Sequence, residues 1–401
     1  MNRSLSGWLR VTAGLLVNMC LGTIYSWSVF RKPLEDLFQL DPAASGLPYM
    51  IFLAVFAFSM PLGGMVIDRI GPRLTVIVGA LLLGIGWIVS SFAGQILVIT
   101  LFYGVVGGLG VGLAYGAPLS VAGKWFPKQK GLAMGIALVG FGLSPFITAP
   151  LAESLIGSLG VLSAFRVLGI GFVFTIGALS IGLAYPKDEE QNSANQGTTV
   201  AEIALTPTQM LRTGPFYALW LLYVIGTLTG LMVIGITSPA AQEIAGLSSA
   251  TAAIVVSVMA VFNGIGRPIF GLMTDKLGPR LAIVLALALV AGASLLMLLV
   301  PDGNVPLFLI AFAVFWMLLG GWLAIAPAAT TAMFGARHYT RNYGIMYTAY
   351  GVGAIIGTIV SGQVRTAFGS YRMAFLPTLI LAGLGILGAL IFLKKRARTT
   401  V

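Results

Sequence analysis

Asp68-Arg69-Ile70-Gly71-Pro72-Arg73 decides the fold of this chain, because it occurs twice. The second copy, Asp275-Lys276-Leu277-Gly278-Pro279-Arg280, begins 207 residues later. Glycine permits the backbone angles of a tight turn and proline favours the first turn of a helix, so each copy reads as a short loop between helices. Its aspartate and arginines can pair or cap a helix end in one state and release in another. Asp68, Arg69, Arg73, Asp275 and Arg280 are therefore expected to serve gating rather than substrate contact. A second pair keeps nearly the same offset: Gly112-Leu113-Ala114-Tyr115-Gly116-Ala117-Pro118 is echoed by Gly321-Trp322-Leu323-Ala324-Ile325-Ala326-Pro327.

Both repeats are set among long apolar runs. Hydrophobic residues make up 58% of the chain and charged residues 9%, with a mean hydropathy of +0.98. A helix needs roughly 20 apolar residues to cross the hydrocarbon core. Runs of that order fall at 8–30, 48–67, 74–94, 97–122, 131–154, 160–185, 215–240, 248–273, 281–301, 305–332, 342–364 and 373–393. Continuous apolar runs exclude a β-barrel, whose strands alternate with period two. The expected fold is an all-α integral membrane protein of twelve transmembrane helices in two six-helix pseudo-repeats, residues 1–185 and 214–401. Parallel repetition of this kind is the plan of transporters that rock two halves around a midplane site. The segment 186–213 includes Lys187-Asp188-Glu189-Glu190-Gln191-Asn192-Ser193 and reads as a flexible cytoplasmic linker.

The formal charge of +11 is explained by position. With both termini cytoplasmic, 17 of the 23 lysines and arginines fall on the cytoplasmic side. The other side receives Arg31, Lys32, Arg166, Arg365 and Arg372. That asymmetry orients the chain as a multi-pass protein of a cell (inner) membrane. The basic C-terminal tail is read as an anchor at anionic lipid, and nucleic acid is excluded as a partner. Met1-Asn2-Arg3 precedes a run with no small-residue cleavage site, so it opens the first span. The lone Cys20 leaves no disulfide to form.

Arg267 is the only charge well inside an apolar run, in Phe262-Asn263-Gly264-Ile265-Gly266-Arg267-Pro268. A guanidinium at bilayer depth costs about 3 kcal/mol on insertion scales and ~10 or more in simulations of a lone helix. It cannot shed its proton. Such a residue is expected to face a protein-lined interior and meet an anion there.

The chain resembles the major facilitator superfamily in Gly64-x3-Asp68-Arg69-x-Gly71-Pro72-Arg73, in its repeat and in its twelve spans. Within that superfamily, Tyr115-Gly116 with Lys124-Trp125-Phe126-Pro127 and Lys130-Gly131-Leu132-Ala133 resembles the fourth and fifth spans of oxalate/formate antiporters. Phe262-Asn263-Gly264-x2-Arg267-Pro268 resembles their eighth span, and its Arg-Pro pair also occurs in monocarboxylate transporters. Arg341-Asn342-Tyr343-Gly344 opens the eleventh span as in the antiporter group. The resemblance implies a secondary transporter working by alternating access, with Arg267 binding a substrate carboxylate.

Departures from the antiporter pattern narrow the substrate. Where that group carries a second cation in its eleventh span, this chain has Tyr350; where its tenth span carries a Trp and a Tyr, this chain has Leu319 and Leu323. One buried cation balances one carboxylate, and a dicarboxylate would leave a charge unpaired. The expected substrate is a small monocarboxylate of the lactate/pyruvate type. Proton symport is the expected coupling; exchange of oxalate/formate type is the alternative. Many monocarboxylate transporters have an aspartate one turn before the arginine, where this chain has Asn263, which shares the Arg267 face but does not titrate. Glu243, at the outer end of the seventh span, is the expected proton acceptor; Glu153 is a weaker candidate, and His338 reads as a loop residue.

Tyr25, Tyr115 and Tyr350 place hydroxyls at depth, where each needs a partner, and Ser26 and Asn18 raise the same question. Phe141 and Phe262 are expected to supply an apolar wall. The run Gly104-x2-Gly107-Gly108-x-Gly110-x-Gly112 lacks the preceding strand and the lysine of a phosphate loop, so it reads as helix packing. No cofactor, catalytic constellation or metal site is read from the sequence, and a monomer suffices for this architecture.

Overall fold

The computed structural model describes residues 3–186, 204–335 and 337–393. Helix α1 comprises Arg3–Leu21, a buried 3-10 turn at Gly22–Ser26, and Trp27–Phe38. One 49-residue helix, Pro42–Ser90, contains α2 and α3, because Gly71 (φ 78°, ψ 167°) breaks it. Then follow α4 (Ile96–Trp125), α5 (Gly131–Leu159), α6 (Val161–Ser180), α7 (Gly214–Ile244), α8 (Ser249–Leu277), α9 (Pro279–Leu299) and α10 (Val305–Phe334). Helix α11 is Tyr339–Phe368, and α12 is Phe375–Phe392 behind a 3-10 turn at Tyr371–Ala374. Eleven of the described helices are long and apolar enough to cross a membrane, and the break at Gly71 makes the spans twelve.

The sequence repeat is a structural one. Gly278 adopts φ 82°, ψ 158°, nearly the angles of Gly71, and a proline follows each to start the next helix. The glycine run of α4 packs as expected: a methyl on Gly108 or Gly110 would meet the Phe52 or Gly79 carbonyl at 2.6 Å. Close backbone approach of this kind is how helices associate where lipid offers no hydrophobic drive.

Two boundaries differ from the hydropathy reading. Helix α1 continues to Phe38 and α2 starts at Pro42, so both extend beyond their apolar cores. Charges at Arg31, Lys32, Glu35 and Asp36 end the apolar run without ending the helix, because the protein rather than lipid surrounds Arg31. The expected linker differs in part as well. Residues 187–203 lie outside the described residues, as do the tail residues from 394 on. Residues 204–213 are held in place: Thr206 and Gln209 form a capping box on Pro207–Met210. The Leu205 N–H donates to the Phe334 carbonyl (2.9 Å), and Asn342 Nδ2 donates to the Leu205 carbonyl (2.9 Å). The approach to α7 is thus fastened to α10 and α11.

Candidate functional site

Residues of α1, α4, α5, α10 and α11 gather around Arg267 of α8. Proline at 268 follows it within α8, and glycines at 264 and 266 let α8 lie close to its neighbours; a methyl on Gly266 would strike the Met317 carbonyl of α10 at 2.0 Å. Asn263, one turn earlier, donates Nδ2 to the Trp316 carbonyl at 3.1 Å. That bond fixes the amide, whose Oδ1 has no hydrogen-bond partner. Opposite stands Gly142 of α5: a methyl there would sit 2.4 Å from Asn263 Oδ1 and 3.3 Å from Arg267 Nη2. Asn263 and Arg267 therefore point together across the boundary between the first six helices and the last six.

Arg267 is 8% exposed, and its three buried guanidinium nitrogens make no well-aligned hydrogen bond, the Tyr115 hydroxyl alone lying close enough to interact with them. Tyr25, Tyr115, Tyr343 and Tyr347 lie within its electrostatic reach. Tyr25 reaches its place because the 3-10 turn at Gly22–Ser26 turns it inward. Gly22 permits this, since a methyl there would strike the Phe141 carbonyl at 2.3 Å. Tyr25 Oη and Tyr350 Oη are 2.7 Å apart, a hydrogen bond joining α1 to α11. The Tyr115 and Tyr25 rings both meet the Phe141 ring edge-on at 5.2 Å.

The structure thus brings together Arg267, Asn263, Tyr115, Tyr25, Tyr350 and Phe141. Phe262 is half-buried at the edge of the core, and no ring contact among the described residues joins it to the cluster. Its place in the wall is not supported: it sits one residue off the Asn263–Arg267 face, so the helix turns it away. Ser26 is satisfied within the first six helices, 2.6 Å from Thr148 Oγ1. Asn18 donates to the Ala137 carbonyl at 2.9 Å, leaving its Oδ1 unpartnered. Leu319 is buried against Gly230 of α7.

Several contributors were not singled out in the sequence. Phe56 of α2, fully buried, touches four rings: Tyr115 (5.3 Å), Phe141 (5.7 Å), Tyr347 (5.9 Å) and Tyr350 (6.0 Å). Along α11, Tyr339, Tyr343, Tyr347 and Tyr350 meet in succession with centroids 5.0–5.7 Å apart, the outer two pairs stacked and the middle pair edge-on. Their spacing of four, four and three is a one-face helical pattern that the sequence does display. The Tyr223 and Trp322 rings stack at 6.0 Å; Trp322 Nε1 is buried without a hydrogen-bond partner, while the Tyr223 hydroxyl lies within reach of Tyr343.

The other expected residues lie away from this centre. Glu243, at the end of α7, accepts from Arg365 Nε at 2.6 Å and from the Tyr371 N–H at 2.8 Å, so both oxygens are engaged. Glu153 is half-buried near the end of α5, and His338 precedes α11. Asp68, Arg69, Arg73 and Asp275 are exposed at the two repeated turns. Arg280 reaches across to donate Nη2 to the Leu390 carbonyl at 2.6 Å. Among the described residues no group of three or more His, Cys, Asp or Glu could hold a metal ion.

Twelve spans, a duplicated turn and a central site between two sets of six helices agree with the comparison to known families. The Major Facilitator Superfamily sequence model matches residues 11–301 and 219–401. This chain belongs to the major facilitator superfamily. Among superfamily relatives, the oxalate:formate antiporter of Oxalobacter formigenes is 30% identical over 374 residues, covering 92% of this chain and 87% of that protein. Monocarboxylate transporter 13 of Rattus norvegicus is 27% identical over 389 residues, covering 95% and 88%. A bacterial homolog of the human lysosomal transporter Spinster, solved inward-facing and unoccupied, superposes with a TM-score of 0.78 at 16% identity over 99% of both chains. That likeness establishes the superfamily fold and no more. The curated relatives make this chain a multi-pass transporter related to carriers of small anions.

Proposed function

We propose that this protein is a secondary transporter, not an enzyme, moving a small monocarboxylate of the lactate/pyruvate type by alternating access. Arg267 binds the carboxylate between the half 1–185 and the half 214–401, as a monomer, with both termini in the cytoplasm of a cell (inner) membrane. The observation that carries this reading is the guanidinium buried at the interface with no ion-pair partner among the described residues and only the Tyr115 hydroxyl in reach. A buried cation in that condition is costly unless an anion joins it. A carboxylate can accept two parallel N–H bonds from the guanidinium fork, and Asn263 Oδ1 is placed to accept from an α-hydroxyl. The tyrosines supply further hydroxyls, while Phe141 and Phe56 face the apolar end. One cation matched to one carboxylate disfavours oxalate.

Two couplings fit this site differently. Proton symport requires Glu243 to leave Arg365 at some stage of the cycle and take up a proton. Exchange of one carboxylate for another requires no titrating group; the engaged Glu243 and the neutral Asn263 favour it as the second reading. The test is uptake of labelled L-lactate into proteoliposomes. Accumulation driven by an imposed inward proton gradient supports symport. Uptake indifferent to the gradient but dependent on carboxylate loaded inside supports exchange. No lactate or pyruvate flux under either condition would overturn the substrate assignment.

A further inference from the structure

Arg31 is the second buried cation among the described residues, and the transport reading above gives it no task. At 2% exposure it is more deeply enclosed than Arg267. It lies in the last turns of α1, at the end of the molecule opposite the termini, the outer end in the orientation proposed above. Each guanidinium nitrogen has a partner. Nε donates to Ser45 Oγ at 3.0 Å, Nη2 donates to the Pro42 carbonyl, and Nη1 donates to the Gly235 carbonyl of α7 at 3.2 Å. The nearest carboxylate oxygen, Glu35 Oε1, is 4.0 Å from Nε and accepts from the Ser45 hydroxyl at 2.6 Å.

Two of those partners are in the first six helices and one is in the last six. The other half contributes more than the Gly235 carbonyl. The Tyr371 ring lies 5.7 Å from the Arg31 guanidinium and 5.7 Å from that of Arg365, which is itself paired with Glu243. A pair from each half, Arg31 with Glu35 and Arg365 with Glu243, therefore meets at one aromatic ring. Around this point the halves touch closely. Tyr49 Oη donates to the Leu231 carbonyl of α7 at 2.9 Å, and a methyl on Gly46 would lie 2.7 Å from Thr358 Cγ2 of α11.

We propose that Arg31 is the outer latch of the transporter, holding α1 of one half to α7 and Tyr371 of the other while the outer mouth is shut. When the outer mouth opens, Gly235 and Tyr371 withdraw together, and Arg31 exchanges them for water and for Glu35. Because the key acceptor is a main-chain carbonyl, the latch depends on the arginine and not on any α7 side chain. Closure is favoured by as much as these contacts differ between the two states.

The test needs no substrate, so it stands apart from the lactate reading. In a Cys20→Ser background, Thr358→Cys serves as reporter at the outer seam and is labelled from outside by a membrane-impermeant maleimide. With Arg31 present, labelling is slow. Arg31→Ala is expected to accelerate it about tenfold, as lost charge-assisted bonds imply, and Arg31→Lys is expected to fall between. A second reporter, Gly135→Cys on the cytoplasmic part of α5, is labelled in inverted vesicles and is expected to slow as the outward-open state gains population. Unchanged labelling of Thr358→Cys in an inserted Arg31→Ala protein would overturn the latch; so would a rise at both reporters, which means general loosening. Should Arg31→Ala fail to insert, Ser45→Ala and Arg31→Lys carry the test, and no acceleration in either overturns it.

Discussion

Arg267 and Arg31 are both buried arginines in a chain that carries few charges, and they differ in every contact. Arg31 spends its three nitrogens on one hydroxyl and two carbonyls. Arg267 has only the Tyr115 hydroxyl in reach. Burial alone therefore says little about what a membrane-embedded cation does; the state of its donors says much more. A cation whose donors are all used is part of the structure that holds two surfaces together. A cation without an ion-pair partner at the seam between two halves is, in the function proposed above, a place for a ligand.

The contrast can be broken most sharply by making the same substitution at both sites. Arg267→Ala is expected to cut carboxylate transport about 100-fold or more, since two charge-assisted bonds are lost together. The purified variant is expected to melt no lower than the parent, because an orphan charge has been removed. Arg31→Ala is expected to reverse the pattern in detergent melting, costing about 3 kcal/mol through the carbonyls and Glu35 left without their cation. Substrate binding at the centre survives in that variant. If both substitutions lower stability alike, the distinction between the two arginines fails.

Smaller effects sharpen the description of the centre. Gly142→Ala places a methyl 2.4 Å from Asn263 Oδ1 and 3.3 Å from Arg267 Nη2. The crowding is expected to raise KM about tenfold, in keeping with the typical cost of overpacking, while the protein inserts normally. Tyr25→Phe removes the 2.7 Å hydrogen bond to Tyr350. Such a bond contributes about 1 kcal/mol, so a roughly fivefold change in transport rate is expected. Initial-rate uptake measurements decide both.

Much of this was legible in the sequence, and the limits have physical causes. The twelve spans and the duplicated turn could be read because lipid demands long apolar runs and a tight turn demands glycine. Arg267 could be read because a charge inside such a run has no cheap explanation. Arg31 could not: it falls where the apolar run ends, and a charged helix end looks the same whether water or the opposite half surrounds it. Glu243 stands out as an isolated acid, but its partners Arg365 and Tyr371 come from the last turn of α11 and the 3-10 turn after it, and no spacing announces them. Phe56 is one phenylalanine among many in apolar helices, and only the fold reveals that four rings meet on it. The tyrosines of α11 were readable in principle through their one-face spacing, which the motif at its start overshadowed.

The most direct test of the central claim is equilibrium binding of L-lactate to the purified protein, compared with its neutral amide and repeated in Arg267→Ala. The account predicts saturable lactate binding by the parent, no measurable binding of the amide, and loss of lactate binding in the variant. Undiminished lactate binding by a folded Arg267→Ala protein would contradict it.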